Sequence, residues 1–163
     1  MTVHPRVLVT YEPSPEERDA FGETLAAPAT IGYLPQVAAG DRAGAVAAAD
    51  VVLVRHIGKE LRPAEFALLK SASLIQLVPA GADDLPFGQL PENVPVAANA
   101  GAYADPIAEH VLALTLALAK RLLPNNAALA AGEFDHHTPS GDIRGSLVGI
   151  LGFGGIGQAS ATL

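Results

Sequence analysis

The sequence reads as an α/β protein built on a parallel, doubly wound sheet, and two observations predict this. Short runs of β-branched and aliphatic residues alternate with helical segments from Val7 to Ala97, as a parallel sheet with crossover helices requires. Half of the residues are apolar, yet aromatics make up only 5% and there is no Trp. A core of Ala, Leu and Val suits helices packed on such a sheet. A chain of 163 residues can hold one domain with a real core and part of another.

Residues 7–11 form the first strand, a short apolar run rich in β-branched side chains. Ser14 before Pro15 is an N-cap with proline at the first helical position, and the helix it opens carries Phe21 and Leu25 inward. Residues 30–33 are a second short strand, 41–49 an Ala-rich helix and 50–55 a third strand. A helix over 62–71 starts near Pro63 and turns Phe66 and Leu69 inward. Residues 74–78 are the fourth strand, 87–95 a surface crossing with two prolines and a glycine, and 94–97 a short fifth strand. Ligands of open parallel sheets bind outside the carboxyl ends of the strands. That rule selects residues 55–58, 79–84 and 98–103.

The strongest helix runs from residue 104 to about Leu123. Asp105 and Pro106 form its cap and first turn, Glu109 sits near the positive end of the dipole, and Pro124 ends or kinks it. It is apolar nearly all round, so it is expected to be buried on several sides at a domain or subunit boundary. Its most apolar part, residues 107–119, contains Glu109 and His110 and falls short of the roughly 20 residues of a membrane span. Residues 125–132 suggest a further short helix, and the polar stretch 133–145, with Pro139, Gly141 and Gly145, a linker.

Charge narrows the function. Ten basic residues against seventeen acidic give a net charge of −7, and no basic cluster interrupts it, so neither nucleic acid nor an anionic membrane is an expected partner. With no Cys, disulfides and thiolate metal sites are excluded. The start passes into the first strand without a signal-peptide apolar stretch, which predicts a cytoplasmic globular protein.

Residues 146–151 read as a strand running into Gly152-Phe153-Gly154-Gly155-Ile156-Gly157, with a helix beginning near Gln158. In this Gly-x-Gly-x-x-Gly arrangement each glycine has its own task. Gly152 permits the tight turn, Gly154 lets the backbone approach a pyrophosphate, and Gly157 lets helix and strand pack closely. The N–H groups near Gly155 and Ile156 then point at the anion. Sixteen glycines produce such spacings by chance, so a bland glycine-rich turn is the alternative. The strand before the motif and the linker upstream favour the dinucleotide reading. The acidic or basic residue that chooses between NAD and NADP belongs about 20 positions further on, past the end of the chain as given.

Together these segments resemble the D-isomer-specific 2-hydroxyacid dehydrogenases. Residues 74–83 look like that family's strand and Gly-x-Asp substrate loop, at Gly81-Ala82-Asp83. Asn99-Ala100-Gly101 followed by residues 107–114 looks like its loop into an Ala-Glu-His helix, and residues 144–157 look like its entry to the cofactor domain. The resemblance implies a flavodoxin-like substrate domain over 1–103, interdomain and dimerisation helices over 104–132, a linker over 133–145, and the first strand, turn and helix of a Rossmann dinucleotide-binding domain over 146–163. It implies a homodimer and NAD or NADP as cofactor. Backbone N–H groups of Gly81 and Ala82 would hold the substrate carboxylate, and Gly155-Ile156 the pyrophosphate, within a cofactor-binding turn of Gly152, Gly154, Gly155, Ile156 and Gly157. The family's catalytic Arg, Glu and His fall later than Leu163, so no catalytic residue is assigned within the chain. It reads as the truncated N-terminal portion of a longer enzyme.

Other polar groups carry weaker signals. Arg55 ends a strand on the ligand side, and its guanidinium suits a carboxylate; Asn99 is first a turn residue and second a substrate contact. Glu109 and His110, adjacent on a helix, do not face each other as an acid–base pair would. His136 and His137 lack metal-ligand spacing, and Asp83-Asp84 reads as a turn before it reads as a cation site. The expected function is hydride transfer between NAD(P)H and a 2-oxo or 2-hydroxy acid of the glyoxylate, hydroxypyruvate or phosphoglycerate type, with the given chain inert alone. The alternative is a non-catalytic small-acid-binding or dimerisation module.

Overall fold

In the computed structural model, which describes residues 4–25 and 27–163, the chain falls into two units, Met1–Ala100 and Gly101–Leu163. The first is built on β1 (Arg6–Val9), β2 (Thr30–Tyr33), β3 (Val51–Val54), β4 (Leu74–Leu77) and β5 (Val96–Ala97). All pairings are parallel, in the order β2-β1-β3-β4-β5. This is the flavodoxin-like order, whose switch point lies between β1 and β3. The register sets Leu8 beside Val52 and Val52 beside Ile75. Because side chains alternate across a strand, Leu8, Val52, Val54, Ile75 and Leu77 share one face, and this is the face that carries the core. Val51, Leu53, Leu74 and Gln76, on the other face, are half-buried.

The helices supply the rest of that core. Ser14 caps α1 (Pro15–Leu25) reciprocally with Glu17: the Glu17 N–H donates to Ser14 Oγ at 3.2 Å, and the Ser14 N–H to Glu17 Oε2 at 2.9 Å. Phe21 and Leu25 are half-buried on this helix. α2 (Arg42–Ala47) contributes Val46, and α3 (Ile57–Glu60), a one-turn helix the sequence reading passed over, contributes Ile57. The expected helix over 62–71 is α4 (Pro63–Phe66) continued as a 3₁₀ turn over Ala67–Ser71, with Phe66 and Leu69 buried. Glu65 is buried as well. It accepts from Arg42 Nε at 2.6 Å, from Arg42 Nη2 at 3.1 Å and from the Arg62 N–H at 2.8 Å, tying α2 to α4.

The second unit departs from expectation in three places. α5 spans Ala104–Ala119, capped at Tyr103 rather than Asp105, and it stops before Leu123. Pro124 causes the stop from a distance: it has no N–H to give the Lys120 carbonyl, and its ring crowds that carbonyl. The chain instead turns through Arg121 in the left-handed region (φ 53°) and restarts as α6 (Leu122–Ala130), with Pro124 in the first turn. The Asn125 side chain donates to the freed Lys120 carbonyl at 3.3 Å.

Second, α5 is not buried on several sides. Ala108 is its one buried residue, while Val111, Leu114 and Leu118 are exposed. Third, residues 146–151 are not a strand. A strand exists only through its ladder, and no described residue offers this segment a partner. The helix after it forms, starting at Gly155: α7 is Gly155–Thr162. Residues 133–145 are exposed and carry neither helix nor strand. No helix among the described residues is long and apolar enough to cross a membrane.

Candidate functional site

At the carboxyl end of the sheet, hydrogen bonds carry the strand register into the loops. The Thr10 N–H donates to the Leu53 carbonyl at 3.0 Å, the Val78 N–H to that of Val54 at 2.8 Å, and the Asn99 N–H to that of Pro79 at 3.1 Å. The loops after β3 and β4 are thereby held side by side around a cavity of about 160 Å³ lined by Arg55, His56, Ile57, Leu77, Pro79 and residues 81–85. Three of the four acid-binding residues expected from sequence, Arg55, Gly81 and Ala82, line it together. Asn99 does not line it, although its backbone is bonded to the cavity wall at Pro79. Asp83 and Asp84 are exposed, and their turn is closed by the Leu85 N–H donating to the Ala82 carbonyl at 3.2 Å.

Arg55 is fixed by neighbours that the sequence does not place beside it. Its guanidinium stacks 4.2 Å from the centre of the Tyr11 ring and pairs with the Glu17 carboxylate. The Ser14 N–H, and then the Arg55 bond and charge, hold the Glu17 carboxyl below the usual carboxylate range; the Glu17 bond raises the already high Arg55 pKa. Burial, and then the charge of Glu17, raise the Tyr11 phenol. The Ser14-x-x-Glu17 spacing betrays a capping box, but its link to a residue 38 positions away leaves no trace in local pattern.

Glu60 was also not foreseen. Its carboxylate accepts from the Thr10 hydroxyl (2.6 Å) and from the N–H groups of Arg55 (3.0 Å) and His56 (2.6 Å). It occupies the N–H groups of Arg55 and His56 at the end of β3, so these two donors are already engaged.

In the second unit the glycine turn has the geometry its spacing implies. Gly152 sits at φ 91°, a conformation that side chains rarely adopt. A Cβ on Gly157 would run into the Gly152 carbonyl and lie 3.3 Å from the Ile150 side chain, whereas a Cβ on Gly154 would meet nothing within 4 Å. Helix and turn therefore touch at Gly157, and the backbone is bare at Gly154. α7 opens there, its first internal bond running from the Gln158 N–H to the Gly154 carbonyl at 2.9 Å. The N–H groups of Gly155 and Ile156 precede any internal partner. Bare backbone beside unpaired donors at a helix start fits the pyrophosphate of NAD or NADP.

Glu109 and His110 are exposed on α5. His136 and His137 lie in an exposed loop where Asp135 Oδ1 accepts from the His137 and Thr138 N–H groups at 2.8 and 3.0 Å. No metal-binding group of acidic and His side chains occurs among the described residues.

Residues 112–163 match the model of the D-isomer specific 2-hydroxyacid dehydrogenase NAD binding domain. No curated protein sequence matches the chain. Solved structures similar to it include a glycerate dehydrogenase related protein from Thermoplasma acidophilum, 29% identical, with 96% of this chain covered, 49% of that one, and a TM-score of 0.65. D-lactate dehydrogenase with NAD+ from Lactobacillus jensenii is 21% identical over 96% of this chain and 49% of its own, with a TM-score of 0.75. An NADPH-dependent glyoxylate/hydroxypyruvate reductase from Sinorhizobium meliloti, in complex with NADP and malonate, is 19% identical over 98% and 50%, with a TM-score of 0.66. The chain thus spans about half the length of the structures it matches. Residues 112–163 are thus similar in sequence to that family's NAD binding domain, and the chain over its whole length shares the fold of these structures.

Proposed function

We propose that this chain supplies the acid-binding domain and the start of the dinucleotide domain of an oxidoreductase that transfers a hydride between NAD(P)H and a 2-oxo or 2-hydroxy acid. The observation that carries the reading is the cavity at the carboxyl ends of β3 and β4, where Gly81, Ala82 and Arg55 meet. Backbone N–H groups of Gly81 and Ala82 hold the substrate carboxylate, and Asn99 steadies the neighbouring loop through Pro79. The turn from Gly152 to Gly157 receives the pyrophosphate, with the N–H groups of Gly155 and Ile156 as donors. When bound, the dinucleotide supplies or takes up the hydride.

Residues 1–103 act as the substrate domain, 104–132 as interdomain and dimerisation helices, 133–145 as the linker, and 146–163 as the opening of the cofactor domain. The exposed apolar side chains of α5 and α6, Leu114, Leu118, Leu122 and Leu123, support a dimer contact, since apolar patches of this kind mark interaction surfaces. The acid–base His, its Glu partner and the Arg that the reaction calls for are assigned to no residue of this chain. By itself it is inert.

Pyruvate titrated into the 163-residue chain should shift the amide signals of Gly81 and Ala82. NADH should shift those of Gly155 and Ile156 weakly, and 2-oxo acid-dependent NADH oxidation should stay at background. Turnover by the chain alone would overturn the assignment of the catalytic groups elsewhere. Amides that neither ligand moves would overturn the proposal.

A further inference from the structure

Resting on the acid-binding reading above, we infer that Glu17 sets the substrate class, restricting the cavity to short 2-oxo acids with a single negative charge. Size is the first ground. The groove is open to solvent on one side and holds about 160 Å³, room for about six non-hydrogen atoms before a ligand emerges from it. A 2-oxo acid with an unsubstituted tail of one carbon fills it.

Charge is the second ground. Among the described lining residues Arg55 is the one permanent cation, while Asp83 and Asp84 place two carboxylates on the same wall. Arg55 is not available to a ligand at no cost. Glu17 is paired with it, and the Tyr11 ring lies under it. A second anionic group on the substrate must either displace Glu17, leaving that carboxylate without its cation, or face Asp83 and Asp84 unpaired. Displacing Glu17 is unfavourable because the Arg55–Glu17 pair is partly buried, and facing the exposed Asp83 and Asp84 adds a like-charge repulsion that solvent screens. The substrate's own 2-carboxylate avoids this conflict, because its donors are the backbone N–H groups of Gly81 and Ala82.

The test separates charge from size with three ligands: pyruvate, oxaloacetate, which adds a carboxylate, and 2-oxopentanoate, which adds comparable length without charge. Binding to the 163-residue chain is followed by the amide signals of residues 81–84. Oxaloacetate should bind about tenfold more weakly than 2-oxopentanoate, equivalent to one step of about 1.4 kcal/mol, and pyruvate most tightly. Glu17→Gln keeps the shape and the cap acceptor but frees Arg55, and should raise the affinity ratio of oxaloacetate to 2-oxopentanoate about tenfold. Asp84→Asn, which leaves α1 untouched, should raise the same ratio and guards against a folding defect in the first variant. Oxaloacetate binding the unaltered chain as well as 2-oxopentanoate does, or a ratio unmoved in both variants, would overturn this inference while leaving acid binding intact. Failure of all three acids to bind would overturn the acid-binding reading and this inference with it.

Discussion

Glu65 shows what one buried charge does for the first unit. Its side chain is only 6% exposed, and that of its partner Arg42 17%. Burial alone would push its carboxyl up; the Arg42 and Arg62 donors outweigh that and hold it below the usual carboxylate range. Glu65→Ala leaves the guanidinium buried and unpaired, so urea unfolding should show a loss of about 3–5 kcal/mol. A loss under about 1 kcal/mol would mark the pair as solvated. The sign with pH follows from the lowered value. The contribution is full above about pH 4.3, the unfolded Glu value, and fades as pH falls through the folded value. The gap between the natural chain and the variant should therefore narrow in acid. The glycine turn offers a second residue-scale test. Gly157→Ala forces a Cβ against the Gly152 carbonyl and should cost about 1–3 kcal/mol of local stability. Gly154→Ala meets no atom, so it should leave α7 folded while abolishing the shifts that NADH produces at Gly155 and Ile156. A dinucleotide response surviving in Gly154→Ala would detach that glycine from the pyrophosphate. Gly152, Gly154 and Gly157 were legible because their spacing is local. The links from Glu17 to Arg55 and from Glu60 to Thr10 were not, since only the fold brings those partners close.

At the scale of elements, the strands of the first unit were legible to within a residue or two, because their apolar runs are short and bounded by turn residues. The error at 146–151 has the opposite cause. Those residues have strand-like composition, but a ladder needs a neighbour, and composition does not say whether one exists. The helices show the same contrast. Ser14-Pro15 marked the start of α1, whereas Asp105-Pro106 placed the cap of α5 two residues late, since the chain was already turning at Tyr103. The junction of α5 and α6 was misread because a proline was expected to act where it stands rather than four residues earlier. That junction makes its own prediction. Arg121 holds a left-handed backbone, and its Nε is buried with no hydrogen-bond partner. Arg121→Gly removes the conformational cost, about 1–2 kcal/mol for a side-chain-bearing residue, and the unpaired nitrogen together. It should raise the midpoint of thermal unfolding of the second unit by a few degrees. A lowered midpoint would show that the arginine stem packs more than it strains.

Across the whole molecule the two units differ in how completely each buries what it carries. In the first, Val9, Val52, Val54, Leu69 and Ile75 are fully buried, and every strand is hydrogen-bonded to a neighbour. In the second, Ala108 and Gly157 are the buried residues among those described, while Leu118, Leu147, Val148, Leu151 and Phe153 stand exposed. Stability follows buried apolar area and closed ladders, so the two units should open at different free energies. Native-state hydrogen exchange measures this directly. Amides of β1, β3 and β4 should exchange only with global unfolding of the first unit. Those of α6, α7 and residues 133–152 should exchange orders of magnitude faster, with α5 between, because it is the longest helix of the unit and carries the buried Ala108. Uniform protection across both units would mean that the exposed apolar side chains are covered in solution, by self-association for instance. Dilution would then distinguish the two cases, since protection that comes from association falls with concentration and protection from a folded core does not.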